Sequence, residues 1–455
     1  MHVFVRRGST PLAAAIAAAL SFSAYTMPVV AAEPQAALDE VVVTSRRVEE
    51  RLQDTPIAVS AFRADDIERL NVRQVGDVAA FTPNFVSNPG PTGGNDAFFF
   101  IRGVGQTDLN PATDPGVATY IDGVYLGRVQ GASMDSHDIA RIEVLRGPQG
   151  TLFGLNTVGG AISITTRDPS KEFGASVTAG VGSRDLINIA GSVDVPIGEN
   201  SGLLLSAAYR DQEGWGERSS DGTTFDDNES TSARVKYKWS ATDDFALTLS
   251  GDWSTLQGTS QHTILTGFNQ RPGPTGLSPL AVPLPDMRPY VNDGGDPYRN
   301  QSNIDPDKDY DVAGLGLVLD WNLGAVALKS ITSYRTMDQF ITTDYDSSPF
   351  SFYEGGFDTE QKQWSQELQL TGETGRFRWL VGAFYYDENV DHVNIVSLGG
   401  NNGCLPFSVP TSGYPVCNFA AGQQYATPGI NRKITNNQAF ELDVKAMALF
   451  GQTTI

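Results

Sequence analysis

Few side chains in this sequence combine the types and spacing that catalysis or metal binding requires. His262 and His392 lie far apart in polar stretches, and no Ser/His/Asp or Cys/His set occurs in a motif. The run "DPDKDYD" (305–311) has Asp at every second position, but it lacks the glycine and distal glutamate of a calcium loop. We therefore expect no enzyme, no resident cofactor and no metal site, with a solvated loop favoured over calcium at 305–311.

The only two cysteines, Cys404 and Cys417, lie in a polar stretch rich in Gly and Pro. In an oxidising compartment this arrangement predicts a disulfide that closes a loop. A metal site would need further ligands nearby. We expect a disulfide.

The first 32 residues have the pattern of a secretory signal peptide. Arg6 and Arg7 precede the short apolar run "PLAAAIAAALSFSA", and small residues end at Ala32. The run is shorter than the ~20 residues of a transmembrane helix, which is the alternative. The sequence therefore predicts an exported protein without a transmembrane helix. Its net charge of −21 argues against a nucleic-acid partner, because phosphate binding needs a basic surface.

The chain changes character near residue 170. Residues 50–168 mix short helical patterns such as "VGDVAAF" with strand patterns such as "RIEVLR" and "AISITT", which is typical of a small α+β domain. Residues 169–455 instead alternate apolar and polar side chains in segments of roughly ten residues. In "TSARVKYKWS", for example, Arg234, Lys236 and Lys238 share the polar face.

The connections between these segments favour a transmembrane β-barrel. Short turns such as "SATDD" and "GETGR" alternate with much longer connections at 211–229, 258–309 and 390–436. Outer-membrane barrels have short periplasmic turns and long outer loops, whereas a secreted β-sandwich or β-solenoid, the alternative, has no such asymmetry.

About ten strands are present, whereas a barrel that encloses a plug needs about 22. A sheet edge exposed to hydrocarbon would leave backbone groups unpaired, at several kcal/mol each. The sequence therefore predicts an antiparallel transmembrane barrel that is incomplete within these residues. This chain is therefore expected to be a fragment of a longer receptor or a truncated receptor.

Four stretches resemble the TonB-dependent outer-membrane receptors. They are "DEVVVTS" (39–45), "FIRGVG" (100–105), "GVATYIDGVYLGR" (116–128) and "DIARIEVLRGPQGTLFGLNTVGGAISITTRDP" (138–169). The resemblance is close to about residue 170 and looser beyond it. It implies residues 1–32 as signal peptide, 33–49 as a segment with a TonB box, 50–168 as a plug domain and 169–455 as part of the barrel.

The resemblance identifies a TonB box at Asp39, Glu40, Val41, Val42, Val43 and Thr44. Such a box is an extended segment that adds a strand to the energy-coupling protein TonB, with main-chain hydrogen bonds as the main attraction. The alternative is that "VVVT" is simply the first strand of the plug. Too few residues precede the box for an N-terminal signalling domain, so transport without transcriptional signalling is expected.

In this family, plug arginines of the "IRG" and "LRGPQG" motifs pair with barrel glutamates. The resemblance therefore implies this role for Arg102 and Arg146. The matching glutamate motifs are not evident before residue 455, so the partners are expected in barrel strands beyond it. Glu367 is a weak local candidate, and an ion pair within the plug to Glu143 is the alternative. A buried arginine needs such a partner, because an unpaired buried charge costs several kcal/mol.

The motif glycines are expected to be structural, since they permit tight turns and close backbone approach. They are Gly103, Gly147, Gly150, Gly154, Gly159 and Gly160. Leu155 stands where relatives usually have a basic residue. The stretches "SNPGPTGGND" (87–96) and "QTDLNPATD" (106–114) are candidate ligand-facing plug loops, with Asn88, Asn95, Asp96, Gln106 and Asn110 as candidate contacts.

The sequence thus predicts TonB-dependent import of a scarce solute across the bacterial outer membrane. A ferric siderophore is the expected small-molecule ligand, and TonB and the lipid bilayer are the expected partners. The alternatives are a passive porin, a surface adhesin or a non-functional truncated receptor. Neither a porin nor an adhesin would need the segment from Asp39 to Thr44.

Overall fold

A computed structural model describes most of the chain after the predicted signal peptide. The residues described are 42–43, 47, 50–88, 90, 96, 98–108, 110–130, 138–267, 290–292, 295–349, 353–398 and 434–454. Residues 1–41, Cys404 and Cys417 lie outside them, so the predicted signal peptide and disulfide remain predictions. No helix among the described residues is long and apolar enough to cross a membrane.

The described residues of the N-terminal part form nine short strands, one α-helix and two 3₁₀ helices. The strands are β1 Val42–Val43, β2 Glu50–Arg51, β3 Val59–Arg63, β4 Phe85–Asn88, β5 Phe98–Ile101, β6 Val117–Ile121, β7 Val124–Leu126, β8 Ile139–Arg146 and β9 Gly160–Thr166. The α-helix is α1 Ala64–Arg69, and the 3₁₀ helices span Leu52–Asp54 and Val75–Phe81. This mixture confirms the expected α+β domain, and "VGDVAAF" is a 3₁₀ helix.

The core of this domain is a five-stranded sheet in the order β3–β8–β9–β6–β7. β9 pairs in parallel with β6 and antiparallel with β8. Ile142 and Val144 of β8 and Ile162 and Ile164 of β9 are fully buried. Burial of one such side chain stabilises the fold by about 1.5–3 kcal/mol, so the central strands hold the domain together.

A second, ten-stranded sheet follows. Its strands are β10 Gly174–Val181, β11 Ile187–Ile197, β12 Ser201–Gln212, β15 Asn228–Thr242, β16 Phe245–Gly258, β18 Lys308–Asn322, β19 Val326–Asp344, β20 Tyr353–Thr374, β21 Phe377–Leu398 and β22 Ile434–Thr454. Each strand pairs antiparallel with the next one in this order. The sheet is open over the described residues, with β10 and β22 at its edges. The predicted fold, a plug domain followed by about ten barrel strands, is confirmed.

All the turns of two or three residues lie at one end of the sheet, here called the short-turn end. The long connections lie at the opposite end, as the sequence predicted. Two of them contribute to a separate three-stranded sheet made of β13 Gly216–Arg218, β14 Thr224–Phe225 and β17 Arg299–Asn300. This small sheet joins the connection after β12 to the connection after β16.

The two faces of the ten-stranded sheet differ in chemistry. In β20 the buried residues Gln361, Gln363, Ser365, Glu367 and Gln369 alternate with residues of the exposed outward face. The exposed large apolar residues of the sheet include Trp239, Trp253, Leu315, Trp321, Tyr334, Trp364, Leu368, Leu370, Val381, Met447 and Leu449. An apolar outward face over a polar inner face is the arrangement of a transmembrane barrel.

Towards the long connections the outward face becomes acidic. Five exposed carboxylates lie directly opposite one another across five strands: Asp311, Asp338, Glu360, Asp391 and Glu441. Such a row of like charges is unfavourable and could not lie in hydrocarbon. The apolar band must therefore end between this row and the neighbouring aromatic residues Tyr334 and Trp364.

Candidate functional site: the contacts between the plug and the sheet

The described part of the predicted TonB box is a short strand that is already paired. Val42 lies opposite Arg51 and Val43 opposite Glu50, and the side chain of Val43 is fully buried. Over the described residues this pairing joins two residues of each strand, so few hydrogen bonds there need to break before the strand can pair elsewhere. The structure is compatible both with a box and with the alternative of a first plug strand.

Arg47 lies between β1 and β2, and its side chain contacts both the plug and the ten-stranded sheet. Its backbone has a φ of 64°, a left-handed conformation that is uncommon for arginine. Its Nη2 lies 3.2 Å from Oε2 of Glu367 on β20, and both side chains are at least 92% buried. An ion pair so deeply buried is costly to break from one side only, because the remaining charge would be left unpaired.

The guanidinium of Arg47 is also held by two aromatic rings of the plug. It lies 4.6 Å from the ring centroid of Phe153 and 5.1 Å from that of Tyr120. Its Nε donates to the carbonyl of Leu152 at 3.4 Å, while the Tyr120 hydroxyl donates to the carbonyl of Phe153 at 2.6 Å. Burial raises the pKa of Tyr120, so its hydroxyl stays protonated. Arg47 is thereby fixed to the plug and to the sheet.

A second buried ion pair joins the plug to the sheet at Arg128. Its Nε and Nη2 donate to the two carboxylate oxygens of Glu388 on β21 at 2.8 and 2.5 Å. The side chains are only 2% and 1% exposed. Burial by itself would lower the pKa of Arg128, but the hydrogen bond and charge of Glu388 raise it above its ordinary value. This paired geometry is the strong form of an arginine–carboxylate contact.

The residues before Arg128 are bound to the sheet through backbone groups. Gln363 accepts from the Gly127 N–H at 3.1 Å and donates to the Tyr125 carbonyl at 2.7 Å. A Cβ at Gly127 would lie 1.9 Å from the hydroxyl oxygen of Tyr386, so only glycine allows this approach. The contact therefore extends over the whole segment from Tyr125 to Arg128.

In a third set of contacts the sheet supplies the basic side chains and the plug supplies the carboxylates, the reverse of the two arginine–glutamate pairs. The inward basic residues of β15 meet three plug carboxylates, namely Asp122, Asp138 and Asp168. Arg234 pairs with Asp138, which is fully buried. Lys236 lies 3.0 Å from Asp122 and 3.5 Å from Asp168, and Lys238 lies 2.6 Å from Asp168. The alternating bases seen in the sequence are thus a contact surface for the plug.

The end of the plug is fastened beside these contacts. Arg167 pairs with Asp194 of β11 at 2.8 Å, and the same carboxylate accepts from the Ser170 N–H at 2.8 Å. Burial would raise the pKa of Asp168, but its hydrogen bond to Lys238 and the nearby charge of Lys236 lower the pKa overall. The carboxylate of Asp168 is consequently held in its ionised form.

The plug arginines predicted to pair with the barrel lack such partners here. Within the part of the chain that the structure describes, neither Arg102 nor Arg146 forms an ion pair, and Arg146 donates to the carbonyl of Pro83 at 3.5 Å. The alternative partner Glu143 pairs instead with Arg141 at 2.6 Å, inside the plug sheet. Glu367 does make a plug contact, but with Arg47. Glu143 and Glu367 are therefore not the partners of Arg102 and Arg146, because both glutamates have other cationic partners. The expected pairing with barrel glutamates beyond residue 455 stays a prediction.

Some of the motif glycines have a clear structural requirement. Gly147 has a φ of 105°, and its N–H donates to the carbonyl of Gly159 at 2.9 Å. A Cβ at Gly160 would lie 2.2 Å from the backbone oxygen of Leu145. Gly103 and Gly154 also have positive φ, whereas Gly150 has no close neighbour that would exclude a Cβ. At most of these positions, therefore, either the backbone conformation or a close neighbour requires glycine.

The candidate ligand contacts of the plug loops differ in accessibility. Asn88 and Asn110 accept hydrogen bonds from backbone N–H groups two residues later. Gln106 donates to the carbonyls of Asp108 and Thr113, which fold the second loop onto itself. Asp96 is 3% exposed and faces Gln339 of β19 at 3.5 Å, so a contact with the sheet occupies it. Asn95 lies outside the described residues.

The long connections contain no assembled metal site among the described residues. No group of three or more His, Cys, Asp or Glu side chains is placed to hold a metal there. In the acidic run, Asp305 pairs with Arg218 at 2.5 Å. His262 packs 4.7 Å from the Trp215 ring, and burial lowers its pKa. His392 is a buried residue of β21, not the outer-loop residue that the sequence predicted.

Sequence reasoning missed Arg47 and Arg128. Both lie in quoted motifs or directly after one, but their acidic partners are hundreds of residues away. The separation is 260 residues for Arg128 and Glu388. No local pattern carries such information. The one local signal was the basic face of β15, which alternation placed on the inner side.

Comparison with known proteins agrees with this geometry. Residues 51–161 match the model of the TonB-dependent receptor plug domain. The vitamin B12 transporter BtuB of Vibrio cholerae is 27% identical over 192 residues, which cover 41% of this chain and 30% of that protein. The BtuB of Vibrio vulnificus is 26% identical over 220 residues, which cover 47% and 35%. The chain thus spans about a third of the length of these curated relatives.

Solved receptors share the fold. The ferric yersiniabactin uptake receptor of Yersinia pestis superposes with a TM-score of 0.59 at 15% identity, covering 87% of this chain and 62% of that one. The ferripyoverdine receptor of the outer membrane of Pseudomonas aeruginosa gives 0.62 at 14% identity, covering 91% and 54%. Residues 51–161 therefore match the plug domain of the TonB-dependent receptors, and the described residues place this domain against the inner face of a sheet that has the fold of the solved receptors.

Proposed function

We propose that this chain acts in TonB-dependent import of a scarce solute, with a ferric siderophore as the expected ligand. The protein hydrolyses nothing itself. TonB, energised from the inner membrane, binds the segment from Asp39 to Thr44 and pulls on the plug. The solute then passes between the displaced plug and the barrel wall.

The arrangement of β1 and Arg47 is the observation that supports this proposal most. β1 is a short strand with a two-residue pairing, which suits a segment that must leave its partner and add to another sheet. Arg47, four residues after Val43, is buried against the plug and against Glu367. A pull on β1 therefore acts first on Arg47, at the contact between plug and sheet.

The remaining contacts explain why the plug stays in place without such a pull. Arg128 and Glu388 bind it to β21, while Asp138 and Asp168 bind it to β15. Several buried ion pairs and hydrogen bonds must separate together before the plug can move, so thermal motion alone rarely releases the plug. Work supplied through β1 is the expected trigger.

The test is uptake by cells whose receptor carries Val42→Pro, with Val42→Ala as the matched control. Proline removes the N–H that strand addition needs, whereas alanine keeps it. We expect Val42→Pro to abolish uptake of radiolabelled iron from a panel of hydroxamate, catecholate and citrate chelates. Val42→Ala should keep most of it, and cells without TonB should match the proline variant.

Uptake that is insensitive both to Val42→Pro and to loss of TonB would overturn the proposal in favour of a passive porin. No uptake by the unaltered receptor of any solute tested would favour an adhesin or a non-functional chain. Surface display, measured by antibody labelling, must be equal in all variants.

Cobalamin is the second candidate solute, because the curated relatives are vitamin B12 transporters. Radiolabelled cyanocobalamin belongs in the same panel. Uptake of cobalamin but of no ferric chelate would assign that solute and leave the TonB-dependent mechanism in place.

A further inference from the structure

Arg128 contacts two separate parts of the molecule, a plug loop and the sheet, with one guanidinium group. Nε and Nη2 donate to Glu388 on β21. Nη1 donates to the Pro111 carbonyl at 2.5 Å and lies 3.3 Å from the Asp114 carboxylate. Pro111 and Asp114 belong to the candidate ligand loop at 106–114. The residue therefore connects this loop directly to the sheet.

The two sides of this connection differ in exposure. Glu388 is 1% exposed, and its Oε1 also accepts from Gln361 at 2.5 Å. Asp114 is 64% exposed, so a solute in contact with the loop can reach it. A change at the accessible side alters the hydrogen bonds of a guanidinium that is itself almost fully buried.

We propose that Arg128 is a positioning residue that couples the segment 110–114 to the attachment of the plug on β20 and β21. When a solute draws Pro111 and Asp114 away, Nη1 is left without its acceptors in a buried site. The guanidinium then shifts, and its hydrogen bonds with Glu388 weaken. Because Gly127 and Tyr125 are bound to Gln363 next to it, the contact from Tyr125 to Arg128 loosens with it.

Coupling of this kind is reciprocal, which makes it testable without a solute. Asp114→Asn perturbs the loop side, and Glu388→Gln perturbs the sheet side. Both substitutions keep the size of the side chain. Hydrogen–deuterium exchange of the full chain in detergent then reports the backbone of each side separately.

We expect Asp114→Asn to raise exchange at residues 124–128 about five- to tenfold, and Glu388→Gln to raise exchange at residues 110–114 by a similar factor. In an Arg128→Met background each of these remote effects should disappear. Arg128→Lys keeps the positive charge but loses the contact of two nitrogens with one carboxylate, so the remote effects should disappear in this background as well. Because the buried charge is kept, this variant also serves if Arg128→Met fails to fold.

Two matched controls test specificity. Asp108 lies in the same loop and accepts from the Asn110 N–H, so Asp108→Asn should leave residues 124–128 unchanged. Glu367 is an equally buried glutamate on the inner face but pairs with Arg47, so Glu367→Gln should leave residues 110–114 unchanged.

The inference is overturned if Asp114→Asn leaves residues 124–128 unaffected, or if the remote effects persist without the guanidinium. It rests on the proposed function for its biological role, but exchange is measured without transport. If the receptor still imports solute but the remote effects on exchange are absent, only the proposed coupling role of Arg128 is rejected. If the remote effects are present but the receptor imports nothing, the coupling role stands and the transport proposal is rejected.

Discussion

At the scale of single residues, a few buried charges hold the plug, and each has an unusually specific environment. Arg47 combines an ion pair with two ring contacts, and Arg128 uses two of its nitrogens on one carboxylate. Replacing such pairs by apolar residues is often neutral for stability. Their presence fits a contact that must open and close, since apolar packing gives no comparable specificity of partner.

The first prediction concerns Arg47. Arg47→Ala leaves Glu367 buried without its cation, which costs about 3–5 kcal/mol, and β1 should detach in a larger fraction of molecules. We expect faster maleimide labelling of a cysteine introduced at the buried position Val43. Arg51→Ala, an exposed change in the paired strand β2, is the control and should have a much smaller effect. Equal labelling in both variants would contradict the anchoring role of Arg47.

The second prediction concerns pH and Asp168. Its pKa is lowered in the folded protein, so its contribution to stability is present above the unfolded pKa, about 3.9, and is lost as pH falls through the folded value. The carboxylate is half exposed, so we expect about 1 kcal/mol or less.

Thermal unfolding of the unaltered chain and of Asp168→Asn, measured from pH 3 to pH 7, checks this sign. The difference between the two midpoints should be constant above about pH 5 and should shrink below pH 4. A difference that grows on acidification would contradict it.

At the scale of elements, alternation along each strand separates a polar inner face from an apolar outer face. On β20 the outward residues run from Glu360 past Trp364 and Leu368 to Gly372, which lies opposite Trp379 of β21. Trp364 and Gly372 are about 26 Å apart along the strand. With the usual strand tilt of about 40° this is about 20 Å along the membrane normal, which fits within the apolar band of an outer-membrane barrel, about 25 Å tall. Leu368 is therefore near the middle of the membrane.

The third prediction follows from this depth. Leu368→Arg should destabilise the folded protein in lipid by about 2–4 kcal/mol, whereas Glu360→Lys, eight residues nearer the long connections, should cost about 0–1 kcal/mol. Denaturant unfolding in liposomes gives both values. Similar costs at the two positions would mean that this face does not lie in lipid.

At the scale of the whole molecule, the plug is attached on two flanks of the same sheet. β15 supplies Arg234, Lys236 and Lys238, while β20 and β21 supply Glu367 and Glu388. β15 and β20 are separated by four strand spacings, about 19 Å. β15 carries positive charge towards the plug, whereas β20 and β21 carry negative charge, and the plug presents the opposite sign to each of these strands.

The fourth prediction is that the two flanks contribute independently. Arg234→Met leaves Asp138 buried and unpaired, and Glu367→Gln weakens the contact with Arg47. At this separation the two losses in unfolding free energy should add to within about 0.5 kcal/mol. The double variant in detergent provides the measurement, and a large deviation would mean that the plug is held as one cooperative unit. Leu205→Ala, on the outward face of β12, shows the background cost of an unrelated change.

Much of this architecture could be predicted because it depends on local patterns. Period-two alternation placed Arg234, Lys236 and Lys238 on one face, and the strand patterns "RIEVLR" and "AISITT" predicted two strands of the N-terminal domain. Turn lengths indicated which ends of the strands lie together. These features follow from backbone geometry over a few residues, which the sequence carries directly.

The partners of the buried charges could not be predicted in this way. Arg102 and Arg146 were expected to bind the barrel, but Arg47 and Arg128 do so over the described residues. Glu367 and Glu388 look alike in the sequence, as inward residues of neighbouring strands, yet each meets a different plug arginine. Which charge meets which depends on where the plug lies against the sheet.

The sequence by itself determined the strands, the faces they present and the family that they indicate, because each depends on residues close together in the chain. The tertiary structure alone decided that Arg47, next to β1, meets Glu367, and that Arg128 connects a plug loop to β21. The physical reason is that a buried charge selects its partner by proximity after folding, across 260 residues in the case of Arg128 and Glu388.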